Sequence, residues 1–209
     1  MTRIRLGLLI GSLSLLAARP AAADLVLSLD RTTYDVVGVG ATTTVQVLLS
    51  QTAGGVQVGP GHELGSAGIV LSFATAGAAT VASTSDVTPG SAWDIGGPDF
   101  STSGPNTLIN LGLLSILGAS DLSSPVLLGT FTFTAQSTGS TTITVSSLTP
   151  GSSFSTVNGD ILNSPASVSG TITVSSGTPA VPEPSSLALA ATAGLFAAFA
   201  SIRRRRSAR

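Results

Sequence analysis

Between residues 24 and 176, apolar and polar positions alternate in short runs separated by Gly-, Ser- and Thr-rich stretches. Leu25, Leu27 and Leu29 fall on one side of the chain, with Ser28 and Asp30 on the other. Val45, Val47 and Leu49 alternate with Thr44 and Gln46, and Ile69, Leu71 and Phe73 form a third run. Phe131, Phe133 and Ala135 alternate with Thr130, Thr132 and Thr134; Ile143 with Val145, then Val168, Ile172 and Val174, follow. A period of two is the pattern of a strand, and Thr on the opposite face suits a half-solvated antiparallel sheet. The longer run Leu108–Leu117 is mostly apolar but poor in β-branched residues, so it reads as a buried strand or a short helix. Ala53-Gly54-Gly55 and Asn158-Gly159-Asp160 are turn signals. Roughly seven to nine strands at this spacing, without helical periodicity, predict an all-β fold: an antiparallel two-sheet sandwich.

Two long apolar runs, broken only by small residues, lie outside that segment. Arg3 and Arg5 precede the run Leu6–Leu16, and Ala18-Arg19-Pro20-Ala21-Ala22-Ala23 follows. A basic stretch, an apolar stretch and an Ala-x-Ala site are the three parts of a secretory signal peptide. Ala21 and Ala23 are the small residues that signal peptidase requires, which places cleavage before Asp24 and the signal peptide at 1–23. Near the other end, Val181-Pro182-Glu183-Pro184-Ser185-Ser186 leads into Leu187–Ile202 and then Arg203-Arg204-Arg205-Arg206. As a helix the run would be about 24 Å long, slightly short of a hydrocarbon core of about 30 Å. Flanking serines and snorkelling Arg side chains make up the difference. The chain thus divides into a signal peptide, a sandwich at 24–176, a linker at 177–186, a transmembrane helix at 187–202 and a basic tail at 203–209. An Arg cluster stays cytoplasmic, so 24–180 lies outside, the side that the signal peptide also indicates.

Pro182, Glu183 and Pro184, the apolar run and the tail Arg203, Arg204, Arg205 and Arg206 together resemble the PEP-CTERM sorting signal. That resemblance implies processing by exosortase, a membrane-embedded cysteine protease-like transpeptidase of Gram-negative bacteria that make exopolysaccharide. It implies an inner-membrane precursor and a mature protein at the cell surface or outside the cell. In the middle segment, Leu25–Asp30 followed by Thr43–Leu49, then Gly65–Ala74, Leu128–Phe133 and Gly139–Val145, are similar to the strand order of the cohesin-type fold. This is a jelly-roll sandwich shared with some carbohydrate-binding modules. Cohesins bind dockerin modules or serve as structural stalks, so a protein ligand or exopolysaccharide becomes a candidate partner.

Charge narrows the choice further. All nine basic residues are Arg, and only Arg31 lies within 24–180, against nine carboxylates there, a net of −8. Such a domain has no basic face with which to displace counterions from phosphates, so nucleic acid is excluded as a partner. The chain has no Cys, which removes thiol catalysis and Cys-ligated metal sites. His62, the single His, sits in Gly59-Pro60-Gly61-His62-Glu63, an expected exposed turn. Asp94 and Asp99 flank Gly96-Gly97-Pro98, with Asp86 nearby; they form a candidate calcium loop without EF-hand spacing. Trp93 and Phe100 are either a sugar-stacking platform or, for Trp93, a core plug. With one Trp and one Tyr there is little material for a glycosidase cleft. The expected protein is non-enzymatic, a structural or adhesive module of the envelope or matrix. The alternative is a carbohydrate- or protein-binding module.

Overall fold

The computed structural model of the chain describes residues 24–52, 58–119, 122 and 124–177. The expected signal peptide, the turn at 53–55, Asp121, most of the linker, the sorting motif, the transmembrane helix and the basic tail lie outside the described residues. Among the described residues, no helix is long and apolar enough to cross a membrane.

Among the described residues, twelve strands form two facing sheets. The first sheet runs β1 (Leu25–Leu29), β3 (Thr42–Gln51), β9 (Val126–Ala135), β5 (Ala79–Thr80), with β6 (Val87–Pro89) also on β9. The second runs β2 (Thr33–Val37), β12 (Val168–Ser175), β10 (Gly139–Ser147), β4 (Leu64–Ala74), β8 (Asn106–Ala119), β7 (Ile95–Ser103), with β11 (Phe154–Thr156) beside β4. The alternating residues fill the space between them. Val45, Val47, Leu49, Phe131 and Phe133 from the first sheet meet Ile69, Leu71, Phe73, Ile143 and Val145 from the second, all buried. Phe73 and Phe133 meet edge to face across the gap, with ring centroids 5.2 Å apart.

Leu108–Leu117 lies in a strand, within β8. Its inner positions, Ile109, Leu111, Leu113 and Ser115, are buried, while Leu114 and Ile116 point outward. One pair departs from the expected antiparallel order: β2 lies parallel to β12, Thr33 opposite Thr171 and Val37 opposite Ser175. The reason is that β1 and β2 are one stretch of chain that changes sheets. β1 pairs with β3, three residues follow, and β2 continues in the same direction beside β12.

Asp30 holds the crossing point. Its Oδ1 accepts the Gln46 N–H (2.8 Å) from β3 and the Tyr34 hydroxyl (2.7 Å) from β2. Its Oδ2 accepts Arg31 Nε (3.1 Å). The Arg31 guanidinium also lies over the Tyr34 ring, 4.7 Å from its centroid. Just ahead of β1, the Asp24 N–H donates to Thr52 Oγ1 and the Asp24 carbonyl accepts the Thr52 N–H, each at 3.0 Å.

Strand directions sort the loops between two ends. At one end lie residues 37–41, 74–78, 103–106, 135–139 and 175–177. At the other lie Asp24, the turn at 59–63, Asp94, the stretch at 148–153 and Asp160.

Candidate binding face

The outer face of β4, β8 and β7 carries the most distinctive surface on the described molecule. The strand register sets Gly68 opposite Gly112 and Gly112 opposite Gly97, so three glycines form one row across three strands. A strand glycine leaves the backbone bare, and here the bare row becomes the floor of a trough of about 420 Å³. A Cβ at Gly112 or Gly97 would meet nothing within 4 Å, whereas one at Gly68 would press on Leu148 Cβ at 3.2 Å. Leu148, whose N–H donates to the Gly68 carbonyl (2.9 Å), therefore closes one end of the row.

The next outward row forms a wall. Ile95 stands opposite Leu114, and Leu114 opposite Ser66. Ile95 is 58% exposed and Leu114 51%, and Ile116, two positions further along β8, is 73% exposed. Three large apolar side chains held at such exposure on adjacent strands are unusual for a soluble domain's outer face. On the other side of the glycine row the rim is polar, with Asp99 opposite Asn110. The lining is Gly, Ser, Thr, Ala, Leu and Ile and includes no titratable side chain.

The predicted site residues take other places. Asp94 staples the trough's wall: its Oδ2 accepts the Ile116 N–H at 2.7 Å and faces Ser115 Oγ at 3.5 Å, while its own N–H donates to the Leu114 carbonyl at 3.0 Å. Asp86 closes a capping box with Ser83 on a single 3₁₀ turn, Thr84–Asp86. Asp99 lies on the outer face of β7. Of the three carboxylates of the candidate calcium loop, Asp94 and Asp86 are thus each held in hydrogen bonds of their own, and among the described residues no group of three His, Asp or Glu gathers to hold a metal.

Trp93 is 8% exposed, and its indole N–H donates to the Leu127 carbonyl at 3.0 Å. It plugs the core beneath the entry to β7, and Phe100 packs partly buried against that core. The pair does not form an open stacking platform, because both rings face inward, Phe100 opposite Ile109. His62 lies in an exposed turn, as expected, with Nδ1 3.4 Å from Asp160 Oδ2. Beside it, the Gly61 N–H donates to Glu63 Oε1 and holds that carboxyl below its usual range. The signal-cleavage residues Ala21 and Ala23, the motif Pro182, Glu183 and Pro184, and Arg203–Arg206 lie outside the described residues.

The residues that make the trough were not singled out from the sequence. The available signal was the second face of β8, where Leu108, Leu114 and Ile116 place apolar groups on the side that β9 and β10 give to Thr and Ser.

Comparison with known proteins adds the following. No curated protein matches the chain in sequence. A non-cellulosomal cohesin from Archaeoglobus fulgidus is similar in fold over 77% of this chain and 96% of its own, at 17% identity and a TM-score of 0.44. A type I cohesin–dockerin complex from Clostridium thermocellum is similar over 74% and 99%, at 12% identity and a TM-score of 0.48. The seventh ScaB type I cohesin of Pseudobacteroides cellulosolvens is similar over 76% and 96%, at 13% identity and a TM-score of 0.46. At these scores the likeness carries no argument about partners. The sequence match is of another kind, because it covers the proline pair, the apolar run and the Arg cluster together. Residues 180–206 of the chain match the family model of the PEP-CTERM protein-sorting motif.

Proposed function

We propose that the chain is an exported, exosortase-processed surface protein whose sandwich is a non-catalytic adhesive module, holding a protein partner on the trough of β4, β8 and β7. Export and anchoring follow from the sorting motif at 180–206. Cleavage before Asp24 and a membrane-spanning 187–202 complete that route. The observation that carries the adhesive role is the row Gly68–Gly112–Gly97 beside the exposed Ile95, Leu114 and Ile116. A bare backbone floor admits a partner's side chains deeply, and an apolar wall gives them surface to bury. A protein partner suits this face better than a polysaccharide. None of the large exposed apolar side chains among the described residues is aromatic, and sugar faces are normally met by rings. With one Arg against eight carboxylates among the described residues, a partner with Lys or Arg around an apolar ridge is favoured.

Two measurements test this. Intact mass and cell fraction from the native host, with and without exosortase, should give a species that begins at Asp24, lacks the Arg tail and lies outside the inner membrane only when the enzyme is present. A full-length tail in the inner membrane of both strains would refute the route. For the face, envelope partners cross-linked to the wild-type protein should be lost with Gly112→Phe, which fills the trough, and kept with Thr44→Phe on the opposite sheet. Equal capture by both variants would refute the assignment.

A further inference from the structure

The end of the sandwich from which the chain leaves toward the sorting motif differs chemically from the rest of the surface. Its five segments, 37–41, 74–78, 103–106, 135–139 and 175–177, contain no charged residue. The opposite end carries Asp24, Glu63, Asp94 and Asp160. At one side of the uncharged end, where the edge strand β2 finishes, is the tip Val37-Gly38-Val39-Gly40. Gly38 (φ +91°) and Gly40 (φ +85°) adopt backbone conformations that strain other residues, and they turn the chain so that Val37 and Val39 stand 67% and 63% exposed. The tip is bound directly to the exit strand: the Gly38 N–H donates to the Ser175 carbonyl (2.9 Å), and Ser175 Oγ donates to the Val36 carbonyl (3.4 Å). The Gly40 N–H donates to the Ala135 carbonyl (2.9 Å), which fixes the tip to the neighbouring loop as well.

We infer that in the anchored precursor this uncharged end rests on the lipid headgroups of the membrane that holds residues 187–202, with the Val37–Val39 tip entering the interface. Residues 178–186 separate the described end of the chain from the apolar run. Nine residues reach at most about 30 Å when extended, so the tip is tethered close to the bilayer. Charge orients it. An anionic leaflet repels the carboxylates of the far end and has nothing to repel at this one. The nearest carboxylate along these strands, Asp35, lies two positions before Val37, on the side of the sandwich rather than its tip. Contact at this end turns the trough, which opens near the other end, away from the membrane.

The inference rests on the anchoring proposed above. The absence of Cys makes single-site labelling clean. Full-length Val39→Cys and Ile161→Cys, each carrying an environment-sensitive fluorophore, would be reconstituted into phosphatidylethanolamine vesicles with a phosphatidylglycerol minority and quenched by headgroup spin labels. The expected result is several-fold stronger quenching at position 39 than at 161. A probe at Thr138→Cys should lose its quenching when Val37→Asp and Val39→Asp are added, with far-ultraviolet circular dichroism unchanged. Equal quenching at 39 and 161 in protein that floats with the vesicles would overturn the inference alone. Protein that fails to float would overturn the anchoring and this contact with it.

Discussion

The crossing of the chain from one sheet to the other depends on Asp30, and removing its carboxylate should be felt throughout the fold. Asp30→Ala deletes the acceptor for the Gln46 amide, the Tyr34 hydroxyl and Arg31. Tyr34 is buried behind Asp30, and its hydroxyl loses its acceptor within the fold once Asp30 is gone. A stranded buried donor costs about 1–3 kcal/mol, and the lost charge-assisted bond from Gln46 adds to it, so about 2–4 kcal/mol in all. For a domain of this size that corresponds to a melting temperature lower by about 5–15 °C. Asp30→Asn keeps one carbonyl oxygen for Gln46 and Tyr34 and should cost only about 1 kcal/mol. The two variants also differ in pH dependence. Burial raises the Asp30 carboxyl, but the Gln46 amide, the Tyr34 hydroxyl and Arg31 together outweigh it and hold the group below its usual range. Burial first, then the bond to Asp30, push the Tyr34 phenol well above its ordinary value, so it remains a donor throughout. A carboxyl whose folded pKa lies below its unfolded one stabilises the protein fully above the unfolded value and loses that contribution as pH falls through the folded value. The stability gap between wild type and Asp30→Asn, from urea titrations, should therefore be widest above the ordinary carboxylate range and shrink as pH falls below it. Asp30→Ala within about 0.5 kcal/mol of wild type, or a gap constant into acid, would refute the role given to this carboxylate.

Three further outcomes are expected. Thr141→Val removes the buried acceptor of the Ala79 N–H (3.0 Å) and should cost about 1–3 kcal/mol by urea denaturation. Trp93→Phe leaves the Leu127 carbonyl without its indole donor and should cost about 1–2 kcal/mol; native Trp93 emission, from the only Trp, should shift to the red on unfolding. Gly112→Ala meets open space and should be neutral or stabilise by up to about 1 kcal/mol, while Gly90→Ala, whose Cβ would fall on the Leu127 carbonyl oxygen, should lower the midpoint sharply.

The strands with clean alternation were legible because their alternate residues are buried on one face, and β3, β4, β9, β10 and β12 follow that pattern. The strand β7 was not. It is an edge strand with most positions exposed, and Gly96-Gly97-Pro98, which reads as a loop, is tolerated because only one side of its backbone must pair. The short β5, β6 and β11 carry too few residues to show a period. β2 does alternate, with Tyr34 and Val36 inward, but its parallel partner is set by a strand more than a hundred residues later. The trough was invisible for the same reason. Gly68, Gly97 and Gly112 are unremarkable in sequence, and only the register of three strands brings them into one row. Trp93 could be read either way from composition, and its bond to Leu127 is a contact between distant strands.

The pairing of β2 with β12 also bears on the order of events in folding. One sheet is completed by strands from opposite ends of the domain, Thr33–Val37 and Val168–Ser175, so its edge cannot close until residue 175 has been delivered. Closing so long a loop comes late and slowly. Only with the last strand in place is that sheet complete, and the segment matched to the sorting motif, 180–206, follows within a few residues. The clasp between the second strand and the last is thus the closing step of the fold, made by the stretch of chain that lies directly before the matched sorting segment.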